Sequence, residues 1–375
     1  MPAGVRSSCL TAAGKAQHLQ RMLGTGQRQH SDGTIHRGVV HDLSSFALSA
    51  CAARLAEATH QRYMSAYVIK SGLDLRIAMA EAPIRLEDYL QPHEVGALLA
   101  RSDLRATAVL AVNYALIALA FALAIVWLNP LSWLVAVLIL AGRQLGMEVL
   151  VHDCAHSVFF ERKRVNELVG NWLCGGLTNT NLYRYRDYHL GHHHYAGTDK
   201  DPDLYLAQMY PVERNSMRRK LLRDITGRTG SRDTWRQLRR MTPVRNAPFF
   251  VMHAILIGSL TLAGAPWAYL LWWVAYVFVY PLITRIRYMG EHGVAIDYAS
   301  ADPRENTSST NAAWWERLLV APNRVNYHLE HHLLASVPLY RLPAMQSLLK
   351  ARGFYGHKDC FSQGYVDVVR RATAA

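Results

Sequence analysis

The chain has 375 residues, and 51% of them are hydrophobic, which is enough to bury a core and excludes a disordered protein. Its 41 Lys and Arg residues outnumber the 28 Asp and Glu residues, so the formal net charge is +13. The five cysteines (Cys9, Cys51, Cys154, Cys174 and Cys360) are scattered without a CxxC pair, which excludes a disulfide scaffold.

The first hundred residues have a composition of their own. Residues 1–63 are poor in acidic side chains and have no long apolar run, which predicts a poorly ordered or non-native extension rather than a secretory signal. An organellar transit peptide, or a true start at Met64, are the alternatives. Residues 64–105 are predicted to form an amphipathic cytosolic lead-in, with a helix over residues 94–104.

Four apolar segments follow, at residues 106–128, 131–151, 247–263 and 267–285. The first segment has no charged residue and would form about 35 Å of helix, against a hydrocarbon core of about 30 Å. Turn-forming residues, Asn129-Pro130 and Gly264-Ala265-Pro266, separate the members of each pair. The pattern predicts two hairpins of transmembrane helices.

The charged residues indicate the orientation of these hairpins. Because both turns are too short to hold a domain, residues 152–246 and 286–375 must lie on one side of the membrane. Residues 183–246 contain 14 Lys or Arg against 7 Asp or Glu, which by the positive-inside rule places them in the cytoplasm together with both termini. The positive charge is therefore interpreted as topology, and nucleic acid is not predicted as a partner.

Three histidine clusters lie on this cytoplasmic side. Neutral imidazole is a good ligand for zinc, copper and iron. Eight or nine such ligands are too many for one ion but suffice for two, and a histidine-rich site without thiolates beside a membrane suggests non-haem di-iron. The first cluster has HxxxH spacing and the other two have HxxHH spacing: His152 and His156; His189, His192 and His193; His328, His331 and His332.

The order HDCAH, HLGHHH and NYHLEHH resembles the membrane fatty acid desaturase superfamily, with its three histidine boxes. The acidic segment GTDKDPD after the second box and Ser336-Val337-Pro338 after the third extend the resemblance. It implies an all-α integral membrane protein, with four transmembrane helices in two hairpins and a cytosolic helical cap that holds the di-iron site. Residues 106–375 would form this domain.

The resemblance also implies a set of metal ligands. His292, just after the fourth apolar segment, matches the position of an additional ligand histidine. His194 is a register alternative in the second box, and His253 is interpreted as a packed histidine inside the third helix. The implied ligands are His152, His156, His189, His192, His193, His292, His328, His331 and His332.

Polar residues near the boxes are candidates for orienting these ligands, since a ligating imidazole usually donates its other N–H to a carboxylate or carbonyl. Asp201 and Asp203 could instead only shape a turn around Pro202. Arg143 and Glu148 lie in a membrane segment and should face the protein interior. The orienting candidates are Asp153, Glu148, Asp201, Asp203, Asn326 and Glu330.

The resemblance implies O₂-dependent oxidation of a fatty acyl chain or lipid, most simply desaturation, with no catalytic residue separate from the metal centre. Alternatives are a hydroxylase or ketolase of the same fold acting on a lipid, sphingoid base or carotenoid, and a membrane zinc hydrolase or receptor-like protein.

The electrons for such a reaction must come from another protein. The sequence lacks a haem-binding HPGG segment, a GxGxxG motif after a strand and ferredoxin cysteine spacing. A ferredoxin or cytochrome b5-type donor with its reductase is therefore expected. The membrane would be the inner or plasma membrane of a bacterium, or the endoplasmic reticulum or another organelle of a eukaryote.

Overall fold

The computed structural model describes residues 84–196 and 198–374. These residues are mostly helical, and the strands among them form one small parallel pair. The predicted extension (1–63), the alternative start at Met64 and residues 64–83 of the predicted lead-in lie outside the described residues.

The helices are numbered in chain order and include two long hairpin-forming helices near the start. They are α1 (Pro92–Leu99), α2 (Asp103–Val126), α3 (Pro130–Ala155), α4 (Lys163–Leu168), α5 (Gly175–Thr178), α6 (Leu182–Tyr195), α7 (Leu204–Ala207), α8 (Arg214–Ile225), α9 (Arg228–Leu238), α10 (Ala247–Leu262), α11 (Tyr269–Val274), α12 (Tyr280–Tyr288), α13 (Pro303–Asn306), α14 (Trp314–Leu319), α15 (His328–Leu333), α16 (Leu342–Ala351) and α17 (Tyr365–Arg371).

Shorter elements join these helices. Short 3₁₀ or π-helical turns cover Leu86–Asp88, Val169–Cys174, Pro266–Ala268, Ala275–Val279, Met289–Gly293, Pro322–Arg324 and Leu339–Arg341. Strands β1 (Ser309–Thr310) and β2 (Phe361–Ser362) pair in parallel, with Ser309 opposite Phe361.

Three helical segments are long and apolar enough to cross a membrane: Asp103–Val126, Pro130–Ala155 and Pro266–Gly293. The last of these is continuous through α11 and α12. The fourth apolar helix, α10, has 16 residues and would be about 24 Å long, shorter than a hydrocarbon core of about 30 Å. The structure therefore gives three helices of spanning length and one shorter apolar helix where the sequence predicts four spans.

Capping residues set the boundaries of the first hairpin. Asn129 Oδ1 accepts hydrogen bonds from the amides of Leu131 and Ser132, both at 3.1 Å, and so begins α3. Ser102 Oγ accepts from the Arg105 amide at 3.3 Å and begins α2. The prediction of one helix over 94–104 is wrong about where the helix ends, because α1 stops at Leu99 and Ser102 caps the start of α2.

Helix α3 is central among the described residues. In the most apolar 18-residue stretch of α3, 72% of the residues are buried, against 28% in the corresponding stretch of each of the other two long segments. Gly142 permits this packing, because a Cβ there would lie 2.7 Å from the carbonyl oxygen of Leu318. The first histidine pair, at the carboxyl end of α3, is therefore attached to the most enclosed helix of the protein.

A buried polar network ties α2 and α3 to the loop before α15. Arg143 is 3% exposed, and its Nη1 donates to Asn113 Oδ1 at 2.9 Å while its Nη2 donates to the Leu318 carbonyl at 2.5 Å. Asn113 Nδ2 donates to Asn323 Oδ1 at 2.9 Å, and Asn323 Nδ2 donates to the Gly146 carbonyl at 2.7 Å. Arg143 thus faces the protein interior, as the sequence predicts for a charge in a membrane segment.

We expect Asn113→Leu to destabilise the protein by about 3–5 kcal/mol, because it leaves the buried Arg143 guanidinium without its side-chain acceptor. Thermal unfolding of the purified protein in detergent measures the effect. Val112→Ala is the matched control, since Val112 is the neighbouring residue of α2 and is 56% exposed. Equal unfolding temperatures for the two variants would contradict this role of the network.

Candidate metal centre

Nine histidine side chains converge in two groups. The five-histidine group and the four-histidine group each have ligand nitrogens that lie within 4.8 Å of one another. His194 is exposed and belongs to neither group. The five-histidine group is His152, His156, His189, His193 and His331, and the four-histidine group is His192, His292, His328 and His332.

The HxxHH spacing divides its histidines between the two groups. In α6, His189 and His193 join the five-histidine group, whereas His192 points into the four-histidine group. Helix α15 does the reverse: the residues four apart join the four-histidine group, and His331 joins the other. Consecutive helical residues differ in direction by about 100°, so each helix contributes to both groups.

The nitrogen atoms are spaced as ligands of an ion would be. His193 Nε2 lies 3.1 Å from His189 Nε2 and 2.9 Å from His331 Nε2. In the other group, His328 Nε2 lies 2.9 Å from His292 Nε2. Metal–nitrogen bonds of about 2.1 Å at right angles place neighbouring nitrogens about 3.0 Å apart. Both groups therefore fit a metal ion.

One histidine in each group has a buried nitrogen without a partner. His156 Nε2 and His332 Nε2 are buried and make no hydrogen bond within the described residues. A buried imidazole nitrogen without a partner costs free energy unless a proton donor or a metal ion satisfies it. These two atoms are the strongest sign that each group is built to hold an ion.

Burial keeps these imidazoles neutral. It lowers the pKa of His193 to about 2 and that of His156 to about 4, and the Arg186 guanidinium lowers the pKa of His156 further. Burial also lowers the pKa of His189, His331 and His332 well below the ordinary value. At neutral pH these side chains are therefore in the form that binds metal.

Three elements hold the ligands against the end of α3. Arg186 of α6 donates from Nε to the Ala155 carbonyl at 2.8 Å and from Nη2 to the Cys154 carbonyl at 3.3 Å. These bonds satisfy terminal carbonyls of α3 and fix α6 beside it. The π-helical turn Met289–Gly293 supplies His292, and α15 supplies the third box.

Asp153 and Asp201 accept hydrogen bonds from histidines. His192 Nδ1 lies 2.8 Å from Asp201 Oδ1, and His152 Nδ1 lies 3.1 Å from Asp153 Oδ1. Asp153 also accepts from the Leu339 amide at 2.8 Å, which fixes its carboxyl. Asp203 is farther away, at 3.7 Å from His192 Nδ1, and its amide donates to Asp201 Oδ1 at 2.8 Å. The aspartates thus shape the turn and also contact a histidine.

The other three candidates bond to groups other than the nine histidines. Glu330 is fully buried and accepts from Ser309 Oγ at 2.6 Å and from Gln346 Nε2 at 3.0 Å. Asn326 Nδ2 donates to the Thr310 carbonyl at 2.9 Å, and the oxygen of Glu148 accepts from Thr180. Glu330 and Asn326 therefore fix the backbone around the third box.

A family model described as fatty acid desaturase matches residues 128–359, which is more than half of the chain and includes all nine histidines. The chain belongs to the fatty acid desaturase family. This match confirms the resemblance seen in the histidine boxes. It also supports the prediction that the protein is an oxidoreductase of lipid metabolism associated with a membrane.

Three relatives show the range of this desaturase family. The dihydrorhizobitoxine desaturase of Bradyrhizobium elkanii is 27% identical over 59% of this chain and 68% of its own length. A beta-carotene ketolase of Paracoccus sp. (strain PC1) is 29% identical over 56% of this chain and 78% of its own. The sn-1 oleoyl-lipid 12-desaturase of Synechocystis is 26% identical over 59% of this chain and 68% of its own.

Several side chains and carbonyls that contact the histidines of this desaturase family member were not predicted from the sequence. Glu291 Oε1 lies 3.6 Å from His328 Nδ1 and forms a double ion pair with Arg287. His292 Nδ1 lies 3.3 Å from the Asn306 carbonyl, and the ring of Tyr185 stacks on His189 at 5.3 Å. Adjacency to His292 was the one available signal for Glu291, since the other contacts come from distant positions in the sequence.

His253 lies apart from both groups. Its Nδ1 is 2.7 Å from the Tyr269 hydroxyl, and its Nε2 is 3.2 Å from the Leu177 carbonyl. Both ring nitrogens therefore have partners, one in α11 and one in α5. This arrangement agrees with the interpretation of His253 as a packed histidine.

Proposed function

We propose that the chain binds two iron ions, one in each histidine group, and uses O₂ to oxidise an unactivated C–H bond of a fatty acyl chain or other lipid. Introduction of a double bond is the leading reaction. The observation that carries the proposal is the division of nine buried or half-buried histidines into groups of five and four at the end of α3. When bound, iron supplies the activation of O₂ that removal of hydrogen from such a bond requires.

The protein's own residues perform three tasks in this proposal. The nine histidines present neutral nitrogens to the ions, and Asp153 and Asp201 hold His152 and His192 in one orientation. Burial of the histidines excludes water from the reacting bond. No residue is assigned as a separate general base.

The number of histidines supports iron over zinc. A group of five histidines exceeds the four ligands of a tetrahedral zinc site. A membrane zinc hydrolase or receptor-like protein is thus the weaker alternative.

A ketolase or hydroxylase is the closer alternative, and the relationship to beta-carotene ketolases favours keeping it. It shares the removal of hydrogen and differs in ending with a carbon–oxygen bond. Expression in a host without such enzymes, followed by mass spectrometry of its lipids, separates the two outcomes by product mass. The His192→Ala variant should form no new product, and a product that persists in it would contradict the proposed site.

We further propose that the histidine groups and both termini face the cytoplasm and that α10 completes a set of four membrane helices. The basic balance of residues 183–246 supports this orientation. The expected electron donor is a ferredoxin or cytochrome b5-type protein with its reductase.

Charge reversal at Arg236, Arg239 and Arg240 should slow reduction by an acidic donor by about tenfold at low salt. All three side chains are exposed near the end of α9, where they would attract such a donor. Stopped-flow reduction rates at two salt concentrations measure the effect. Arg164→Glu, at an exposed position of α4, serves as the control. A rate independent of salt in the wild type would contradict electrostatic docking.

A further inference from the structure

A cavity of about 440 Å³ lies beside the histidine groups. It is enclosed by α3, the residues after α5, α6, α9 and the segment from Tyr276 to Tyr288. Two of its lining residues touch the histidines: the Tyr185 ring stacks on His189 at 5.3 Å, and the Tyr288 ring lies 6.0 Å from that of His292. The cavity therefore ends one side chain away from both candidate metal sites.

The lining of this cavity combines apolar surface with many polar side chains. Apart from Leu206, Met209, Pro281 and Gly230, every lining residue carries a hydroxyl, amide, carboxyl or guanidinium group. Most of these groups already have a hydrogen-bond or ion-pair partner, so the buried carboxyl of Glu148 is the group that an alkyl chain would cover without offering it a further hydrogen bond. An occupant with a hydrogen-bond donor of its own would satisfy that carboxyl.

Glu148 is the central acceptor in this lining. Its Oε1 accepts from Thr180 Oγ1 at 2.5 Å. Within the part of the chain that the structure describes, no Lys or Arg forms an ion pair with it, although it lies in a membrane-spanning helix. Intramembrane carboxyl groups of this kind mark functional sites by default, and Glu148 lines the cavity.

Other side chains of the cavity lining could also contact a polar occupant. Thr284 Oγ1 is buried beside the Tyr280 hydroxyl. The rings of Tyr276 and Tyr280 stack at 5.2 Å and present aromatic faces, which suit a cationic group. The two charged side chains at the rim are already paired: Arg285 with Asp224, and Asp233 with Arg232 and Arg236.

A second cavity gives the contrast. It has a volume of about 500 Å³, lies between α2 and α10, and is lined by apolar side chains except for Tyr114 and Ser259. It would accept a plain alkyl chain, yet none of its lining residues is in ring contact with the nine histidines, as Tyr185 and Tyr288 of the polar cavity are. The space beside the histidines is therefore chemically distinct from the space suited to hydrocarbon.

We propose that the polar cavity binds the part of the substrate next to the oxidised carbon, and that this part carries a hydroxyl or amine that donates a hydrogen bond to Glu148. The substrate class is thus an amphiphile that is functionalised near its reacting carbon, rather than an unsubstituted fatty acyl chain. This inference rests on the proposed function, because it takes the histidine groups as the place of reaction.

Equilibrium dialysis of labelled probes tests the proposal on the iron-loaded full chain in nanodiscs, with empty nanodiscs subtracted. The probes share one chain length: 1-octylamine, 1-octanol, octane and octanoate. We expect the amine or the alcohol to bind at least about tenfold more tightly than octane and octanoate. The tighter of the two identifies the polar group. Equal binding of octane or octanoate would overturn the proposal.

Variants locate this binding. Glu148→Leu should weaken the preferred probe about tenfold, and Tyr280→Phe, which removes one oxygen from the lining, gives a second test if Glu148→Leu fails to fold. Ser259→Ala, in the apolar cavity, is the matched control and should change nothing. Unchanged binding in a folded Glu148→Leu or in Tyr280→Phe would overturn the proposal.

Iron content and product formation, measured on the same samples, keep the two proposals apart. If the preferred probe binds and depends on Glu148 but the chain retains no iron after loading and forms no product, the cavity still binds a polar amphiphile while the proposed function falls. If two irons are present and products form while neither polar probe shows a preference, the cavity assignment falls alone.

Discussion

Replacing His193 by alanine should remove iron from the five-histidine group and reduce product formation at least about 1000-fold. His193 lies between the two groups: its Nε2 is 2.9 Å from His331 Nε2, and its ring stacks on His332 of the other group at 4.3 Å. Loss of this ligand would remove several kcal/mol of stabilisation, and each 1.4 kcal/mol corresponds to a factor of ten. Iron content and product yield are measured together.

His194→Ala is the matched control for this variant. His194 is the next residue in the same helix, yet it is exposed and belongs to neither group. It should retain full iron content and activity. If His194→Ala lost iron while His193→Ala kept it, the register alternative for the second box would be correct and the ligand assignment wrong.

The second large effect is expected at Asp201. Asp201→Asn should weaken iron retention and activity by about 10- to 100-fold, because the carboxylate that holds His192 at 2.8 Å becomes a neutral amide. Burial alone would raise the pKa of Asp201, but hydrogen bonds from His192 and from the Asp203 amide lower it, so the group is ionised at neutral pH. Iron remaining after dialysis against a chelator measures the change.

Asp199→Asn provides the comparison for Asp201→Asn. Asp199 is an exposed acid in the same loop and should leave iron retention unchanged. Similar losses in both variants would mean that the loop's overall charge matters, and not the bond to His192.

Local patterns in the sequence predict much of this architecture. Apolar length predicts α2 and α3, and Asn129-Pro130 predicts the turn between them. The spacing of the boxes indicates which histidines are available as ligands. The sequence does not indicate that His192 and His193 belong to different groups. Both lie on the same side of the helix as His189, at positions i+3 and i+4. The angle between their side chains matters only when a second histidine group lies beside the first.

Contacts between distant positions account for what the sequence does not predict. The length of α10 depends on the residue at which the loop after α9 ends and the helix begins. The start of α2 depends on the capping residue Ser102. Glu148 is one turn before His152, which suggests contact with a ligand, but its carboxyl instead accepts a hydrogen bond from Thr180 of a separate loop. The polar cavity likewise combines side chains from residues 148 to 288.

Metal analysis of the purified full chain tests the central claim most directly. The five- and four-histidine groups predict about two iron ions per chain, falling in both His193→Ala and His332→Ala and unchanged in His194→Ala. One zinc ion per chain with no iron would contradict the proposed oxidative centre.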